Sequence, residues 1–222
     1  TLSLHDALPI CYYLKKGLMD FGPTGFPFER FMGEIYKHLG YRVQVGTIIQ
    51  GKCVTHEIDV IAEKSNEIIY VECKYRNQAG FTVDVKTPLY IYSRFQDVLD
   101  NGLLKDDTTV FTGSIATNTK FTDDALSYGN CKGLKMLSWN YPKDNSLKDI
   151  VDKSGLYPLT CLISLTKIEK QYLLENNYVL VNEIYNNENI LRSAGIKDAR
   201  LKSVFTEGAQ LCQQSSNNKN HQ

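Results

Sequence analysis

The chain has 222 residues, of which 42% are hydrophobic and 23% are charged, a composition typical of a globular protein with one good core and room for a small second module. No apolar run approaches the roughly 18 residues that a membrane span requires, so we expect a soluble protein. The 25 basic and 25 acidic residues cancel, which argues mildly against a nucleic-acid-binding protein. The argument is not decisive, because a local cluster of carboxylates can offset lysines placed elsewhere on such a protein.

The first ten residues, TLSLHDALPI, resemble the conceptual translation of a sequencing-adaptor oligonucleotide. We therefore expect residues 1–10 to be foreign to the protein and assign His5 and Asp6 to no site, with a native helix as the alternative. Residues 12–21, YYLKKGLMDF, predict a short helix that ends at the Gly-Pro-Thr-Gly sequence of residues 22–25.

The central part of the chain alternates between helical and strand-like patterns. Apolar residues recur at helical spacing from Phe28 to Leu39, and Gly40 follows them. Three strands are predicted next, the last two joined as a hairpin by a Lys-Ser-Asn turn. These strands cover residues 41–49, 55–62 and 67–75, and they precede a helix at 87–99, a strand at 108–117, a helix at 122–131 and a strand at 134–139. This order predicts an α/β fold with a mixed sheet flanked by helices.

A turn-rich segment at residues 141–146 marks a domain boundary, after which the pattern is mostly helical. We expect one domain over residues 26–143 and a small helical module over 144–212. Residues 213–222 are polar and of low complexity, so we expect a disordered tail.

The predicted hairpin carries the residues with chemical potential. Strand alternation places Glu72 and Lys74 on one face, and it places Glu57, Asp59 and Ile61 on one face of the preceding strand. An antiparallel hairpin can then bring Asp59 beside Glu72. Two carboxylates held together on rigid strands are costly unless a cation neutralises them, and oxygen ligands favour Mg²⁺ or Mn²⁺. As a bare pattern, an Asp followed a dozen residues later by Glu-x-Lys is weak evidence for such a site. A solvated, salt-bridged strand face is the alternative interpretation.

A metal held by Asp59, Glu72 and the backbone carbonyl of Cys73 would polarise a phosphate and lower the pKa of an attacking water. Lys74 would position that water or stabilise the charge of the transition state. His56 points to the opposite face in this scheme and is expected to be structural. Arg94 can be interpreted equally well as a phosphate contact or as ordinary surface charge.

Two stretches resemble a known family: PFERFMGEIYKHLGYRVQV…HEIDVIAEKSNEIIYVECKY and, further on, ATNTKFTDDALSYGNCKGLKMLSW. They are similar to the Mrr-like and Holliday-junction-resolvase-like branch of the PD-(D/E)XK restriction-endonuclease-like nucleases. The resemblance implies that Asp59 and Glu72 are the metal carboxylates, that Lys74 is the catalytic lysine, and that Glu29 is an additional acidic residue from the first helix. The family's proline before the aspartate is absent, since Ile58 stands there.

By this resemblance the chain is a Mg²⁺-dependent DNA endonuclease acting in restriction or repair. The alternative is a catalytically silent DNA-binding module of the same fold. The oligomeric state is open, a homodimer included. The six cysteines are scattered without zinc-ligand spacing, which, with no secretory leader, is typical of reduced thiols in a cytoplasmic protein.

The flanking segments add two further resemblances. Residues 11–25 are similar to the end of an ATP-cone domain, so we expect ATP binding only if a complete cone were present. A helix around residues 188–194, a Gly-Ile turn and a helix from Asp198 resemble a helix-hairpin-helix, with Lys197, Arg200 and Lys202 as predicted DNA contacts. An ordinary helical hairpin is the alternative for this segment.

Overall fold

A computed structural model describes residues 13–102 and 109–218, with side chains described through residue 212. The chain forms two compact units, one of residues 28–147 and the other of residues 148–218 with the N-terminal residues 13–27. The predicted adaptor segment, residues 1–10, lies outside the described residues.

The first unit contains the strands that were predicted, with small shifts at their ends. Its helices are α2 Phe26–His38, α3 Lys86–Asp100 and α4 Asp123–Cys131, and its strands are β1 Arg42–Gln50, β2 Thr55–Lys64, β3 Glu67–Lys74, β4 Thr82–Val83, β5 Val110–Thr117, β6 Lys120–Phe121 and β7 Lys135–Leu137. Strands β4 and β6 pair with each other and were not predicted, because two residues are too few to show a period.

The main sheet has the strand order β1-β2-β3-β5-β7. The pairs β1–β2 and β2–β3 are antiparallel, whereas β3–β5 and β5–β7 are parallel. The parallel pairs follow from the chain order, since α3 and α4 are the crossovers that parallel neighbours require. The structure thus confirms a mixed sheet flanked by helices.

The two helical layers fix the two faces of β3. Tyr70 lies 6.3 Å, between ring centroids, from Phe95 of α3, so the even-numbered residues of β3 face α3. Tyr75 lies 6.0 Å from Phe28 of α2 on the opposite face. Both helices bury aliphatic side chains against the sheet, among them Ile91 and Ile35, and each such side chain contributes about 1.5–3 kcal/mol to folding.

Side-chain alternation breaks within β2, contrary to the sequence-based expectation. His56 reaches Asp97 of α3 with an Nε2–Oδ2 distance of 2.8 Å, while Ile61 pairs with Tyr70 and therefore faces the same helix. An even and an odd residue share one face, so the prediction that Glu57, Asp59 and Ile61 share a face is wrong.

The break coincides with a glycine in the neighbouring strand. Gly46 falls between the pairs Val45–Val60 and Thr47–Ile58, directly across from Asp59. Its φ of +64° lies in the left-handed region, which a residue without Cβ adopts at no steric cost. The local distortion of both strands is therefore centred on Asp59.

The second unit is helical. Besides α1 at residues 13–19, it contains a 3-10 turn at Leu159–Cys161 and the helices α5 Leu147–Ser154, α6 Lys167–Glu175, α7 Val181–Ile184, α8 Glu188–Ser193 and α9 Asp198–Asn218. The α9 backbone continues through residues 213–218, where a disordered tail was expected. Extending an existing helix adds one hydrogen bond per residue without a new nucleus. Residues 219–222 of that tail lie outside the described residues.

Helix α1 packs closely on the 3-10 turn of this unit. A Cβ added at Gly17 would lie 2.5 Å from Cys161 Sγ, and Thr160 Oγ1 donates a 2.7 Å hydrogen bond to the Gly17 carbonyl. The glycine therefore permits the close approach. Across residues 13–102 and 109–218, no helix is both long and apolar enough to cross a membrane.

Candidate active site

The candidate site lies where the β2–β3 ladder stops. The last registered pair toward this end is Val60–Val71. Beyond it, Asp59 Oδ2 accepts a 2.7 Å hydrogen bond from the backbone N–H of Cys73. A side chain that takes a backbone donor of the next strand lies near the plane of the sheet, so Asp59 points into the gap between the strands rather than onto either face.

Glu72 is the buried carboxylate of the site, with 5% of its surface exposed. Its Oε1 accepts a hydrogen bond from Lys74 Nζ at 2.5 Å, and its Oε2 accepts one from Arg94 Nη1 at 2.6 Å. Arg94 Nη2 also donates to the carbonyl of Glu57 at 2.5 Å. Arg94 of α3 is thus a member of the site, bound to a carboxylate rather than exposed as surface charge.

The predicted backbone ligand faces the same gap. Thr117 Oγ1 donates a 2.6 Å hydrogen bond to the Lys74 carbonyl on the β5 side of the strand. Successive carbonyls of a strand point to opposite neighbours, so the Cys73 carbonyl points toward β2, alongside the N–H that binds Asp59.

Electrostatics couple Glu29 of α2 to these strands. Burial raises the pKa of Glu29 to about 7, and three nearby carboxylates contribute to the rise against the opposing charge of Lys74. These carboxylates are, in decreasing order of effect, Asp59, Glu57 and Glu72. Burial and then the charge of Glu72 likewise raise the pKa of Asp59 to about 6. Burial is thus the main reason that both carboxylates resist ionisation, and the repulsion from neighbouring carboxylates adds to it.

The donor chemistry fits a hard divalent cation. The carboxylates of Asp59 and Glu72 and the Cys73 carbonyl supply oxygen ligands only, as Mg²⁺ and Mn²⁺ prefer. As placed, however, the described part of the chain contains no group of three His, Cys, Asp or Glu side chains that could hold a metal ion. Both oxygens of Glu72 are engaged by Lys74 and Arg94. The donor types fit the ion, although both Glu72 oxygens carry a basic partner as placed.

His56 belongs to a separate cluster on α3. Asp97 holds its ring at 2.8 Å and also accepts the backbone N–H groups of Cys53 and Val54. These bonds fasten the β1–β2 turn to the helix, which is the structural role expected for His56.

The three predicted DNA contacts of the C-terminal unit have different surroundings. Lys197 and Lys202 are exposed, whereas the Arg200 side chain is 40% exposed and has a partner within the protein. Its guanidinium forms an ion pair with Glu169 and donates a 2.5 Å hydrogen bond to the Ser164 carbonyl. The local pattern of α9 does not reveal this pairing, because Glu169 belongs to the capping box of α6.

Comparison with known proteins gives two family matches. The model of a PD-(D/E)XK nuclease superfamily domain matches residues 13–103, and a model described as AF1548-like, C-terminal matches residues 157–212. The first match includes residues 13–25, the segment that resembled the end of an ATP-cone.

A comparison of sequences and a comparison of structures each find similarity over most of the chain. An uncharacterized protein of Archaeoglobus fulgidus is 32% identical over 184 residues, which is 81% of this chain and 99% of the relative. The crystal structure of AF1548, a protein of unknown function, is 28% identical with a TM-score of 0.70 and covers 85% of this chain and 98% of that structure.

Proposed function

We propose that this chain is a Mg²⁺-dependent endonuclease that hydrolyses phosphodiester bonds of DNA. The chain belongs to the same family as its Archaeoglobus fulgidus relative, and it carries a PD-(D/E)XK nuclease superfamily domain. The observation that supports this function is the carboxylate cluster at the open end of the β2–β3 ladder. There Asp59 accepts a hydrogen bond from the Cys73 N–H, and Lys74 Nζ lies 2.5 Å from Glu72 Oε1. The charges of Asp59, Glu72 and Lys74 all act on the pKa of Glu29.

Each residue of the cluster has a defined part in the proposed reaction. Asp59, Glu72 and the Cys73 carbonyl would hold Mg²⁺ or Mn²⁺, and the bound ion supplies a Lewis acid for the phosphate and an acidified water. Lys74 donates hydrogen bonds to the attacking water or to the phosphate oxygens as their charge grows. Glu29 would add a further carboxylate near that ion. The Cys73 N–H keeps Asp59 aimed into the gap.

The finer assignments have narrower support. A place in the Mrr-like branch, with a role in restriction or repair, rests on the resemblance of the hairpin sequence. Lys197 and Lys202, exposed at the start of α9, would contact DNA phosphates, whereas Arg200 would serve to hold α9 to α6. A homodimer, a cytoplasmic location and an ATP-cone origin of residues 11–25 stay predictions.

A plasmid-nicking assay tests the function. Supercoiled DNA is incubated with the purified chain in Mg²⁺, in Mn²⁺ and in EDTA, together with Asp59→Ala, Lys74→Met and the control Glu34→Gln. Glu34 lies on α2 and pairs with Lys37 at 2.6 Å, away from the cluster. We expect metal-dependent nicking that Asp59→Ala and Lys74→Met abolish and Glu34→Gln retains.

Two outcomes would decide against cleavage at this site. Undiminished nicking by Asp59→Ala would place the activity elsewhere, in a contaminant for instance. Binding of DNA without any nicking by the wild type would favour the silent DNA-binding module. A panel of linear, methylated, branched and single-stranded DNAs then identifies the substrate.

A further inference from the structure

Arg94 pairs with the Glu72 oxygen that Lys74 does not contact. Both of its terminal nitrogens are used, one on Glu72 Oε2 at 2.6 Å and the other on the Glu57 carbonyl at 2.5 Å. Its side chain is only 13% exposed. The guanidinium therefore bridges β2 and β3 at the point where their backbone pairing has ended.

Glu72 has no oxygen without a cation. Lys74 lies on Oε1 and Arg94 on Oε2, and the Glu72 side chain is 6% exposed. A divalent ion could join this carboxylate only against the repulsion of two positive charges, which is strong where water is excluded. Withdrawal of one of the two basic groups would leave an oxygen of Glu72 without a competing positive charge.

Arg94 is better suited to withdraw than Lys74. It reaches the site from α3, and its guanidinium lies 5.5 Å from the ring centroid of Tyr90, one turn earlier on the same helix. Tyr90 is 62% exposed, so this pair extends from the buried carboxylate toward the surface. A guanidinium that leaves a buried partner needs another anion, and a phosphate is the anion whose geometry it matches.

We propose that Arg94 is an exchangeable clamp on Glu72, which it releases when a divalent metal binds, and that it then pairs with a phosphate of the DNA substrate. This inference rests on the proposed function and adds a positioning residue to it. The exchange also couples metal binding to DNA binding. When the ion pair separates, the metal becomes the partner of Glu72 and a DNA phosphate becomes the partner of Arg94.

Calorimetric titration of the whole chain with Mn²⁺, in the absence of DNA, tests the clamp. We expect Arg94→Gln to bind Mn²⁺ about tenfold more tightly than the wild type, a change equal to about 1.4 kcal/mol. Arg76→Gln is the matched control, because it removes the same charge from an exposed residue just after β3. Its affinity should stay close to that of the wild type.

A second variant and a second ligand make the test complete. Arg94→Lys keeps the charge but cannot bridge Glu72 Oε2 and the Glu57 carbonyl, so we expect a smaller gain in Mn²⁺ affinity. This variant replaces Arg94→Gln if Arg94→Gln does not fold. For the exchange, the titration is repeated with Ca²⁺ with and without a DNA duplex. The duplex should tighten Ca²⁺ binding to the wild type by a larger factor than to Arg94→Gln, which lacks the guanidinium that pairs with a phosphate.

The failures are distinguishable. A wild-type chain that binds no Mn²⁺ overturns the proposed function and the clamp together. If the wild type binds Mn²⁺ and nicks DNA but Arg94→Gln binds the ion equally or more weakly, only the clamp is overturned. An equal gain in Arg76→Gln would reduce the effect to general charge and overturn it as well.

Discussion

Replacing Glu29 by glutamine should stabilise the metal-free protein at pH 8 while it impairs the proposed reaction. Burial and the neighbouring carboxylates raise the pKa of Glu29 from 4.5 to about 7. Since a tenfold change in an ionisation constant is worth about 1.4 kcal/mol, the ionised carboxylate costs at most about 3 kcal/mol at pH 8. Solvent screening of this half-buried group halves that cost to about 1.5 kcal/mol.

A smaller effect opposes the gain. Glu29 lies in the first turn of α2, where a negative charge favours the helix by about 0.5 kcal/mol. The net gain for Glu29→Gln is then about 1 kcal/mol, which raises the melting temperature of a chain of this size by about 2–4 °C.

The pH dependence provides the diagnostic. A carboxylate whose pKa is raised by folding favours the folded state below its unfolded value, and this stability is lost as the pH rises from about 4.5 through 7. Thermal unfolding in EDTA at pH 5 and pH 8 should therefore show the gain at pH 8 only. Glu34→Gln, the same change five residues on, breaks the exposed pair with Lys37 and should cost a few tenths of a kcal/mol.

Mg²⁺ should reverse the ranking. The ion raises the melting temperature of the wild type by binding to the folded state. It raises that of Glu29→Gln less, because the variant has fewer charged ligands, so the wild type should melt at the higher temperature. If Glu29→Gln melts below the wild type in EDTA at pH 8, or if its gain is equal at pH 5, Glu29 is not strained by the carboxylate cluster and the electrostatic reasoning for the site is refuted.

Three further predictions address the site, the core and the DNA contacts. Asp59→Asn can still accept the Cys73 N–H and should fold, yet lose about 10³-fold or more of the cleavage rate in Mg²⁺; measurable cleavage near the wild-type rate contradicts its role as a ligand. Phe31→Ala, at a fully buried position, should cost about 3–5 kcal/mol in urea unfolding, and a loss under 1 kcal/mol would contradict its burial. Lys197→Gln with Lys202→Gln should weaken DNA binding and lower the slope of log affinity against log salt by about 0.9 per lost phosphate contact; an unchanged slope excludes these lysines.

The sequence predicted the elements of the sheet unit because its patterns are local. Helical spacing of apolar residues marks α2 and α3, and the runs of β2 and β3 are long enough to show strand character. The short pair β4–β6 escaped prediction, since two residues define no period. Charge patterns did less well: Arg200 reads as a DNA contact on its own helix, but Glu169 of α6 takes it.

At the site itself, the sequence by itself determined which residue types are present and that Glu72 and Lys74 share a face of one strand, because strand alternation is a property of the local backbone. Three features depended on tertiary structure. These are the in-plane orientation of Asp59, the electrostatic coupling of Glu29 and the pairing of Arg94 with Glu72. Each of these three features joins residues on different helices or strands. Whether those residues come into contact depends on where the strands end and how the helices pack on the sheet. No spacing along the chain encodes such distances, so only the folded chain brings the cluster together.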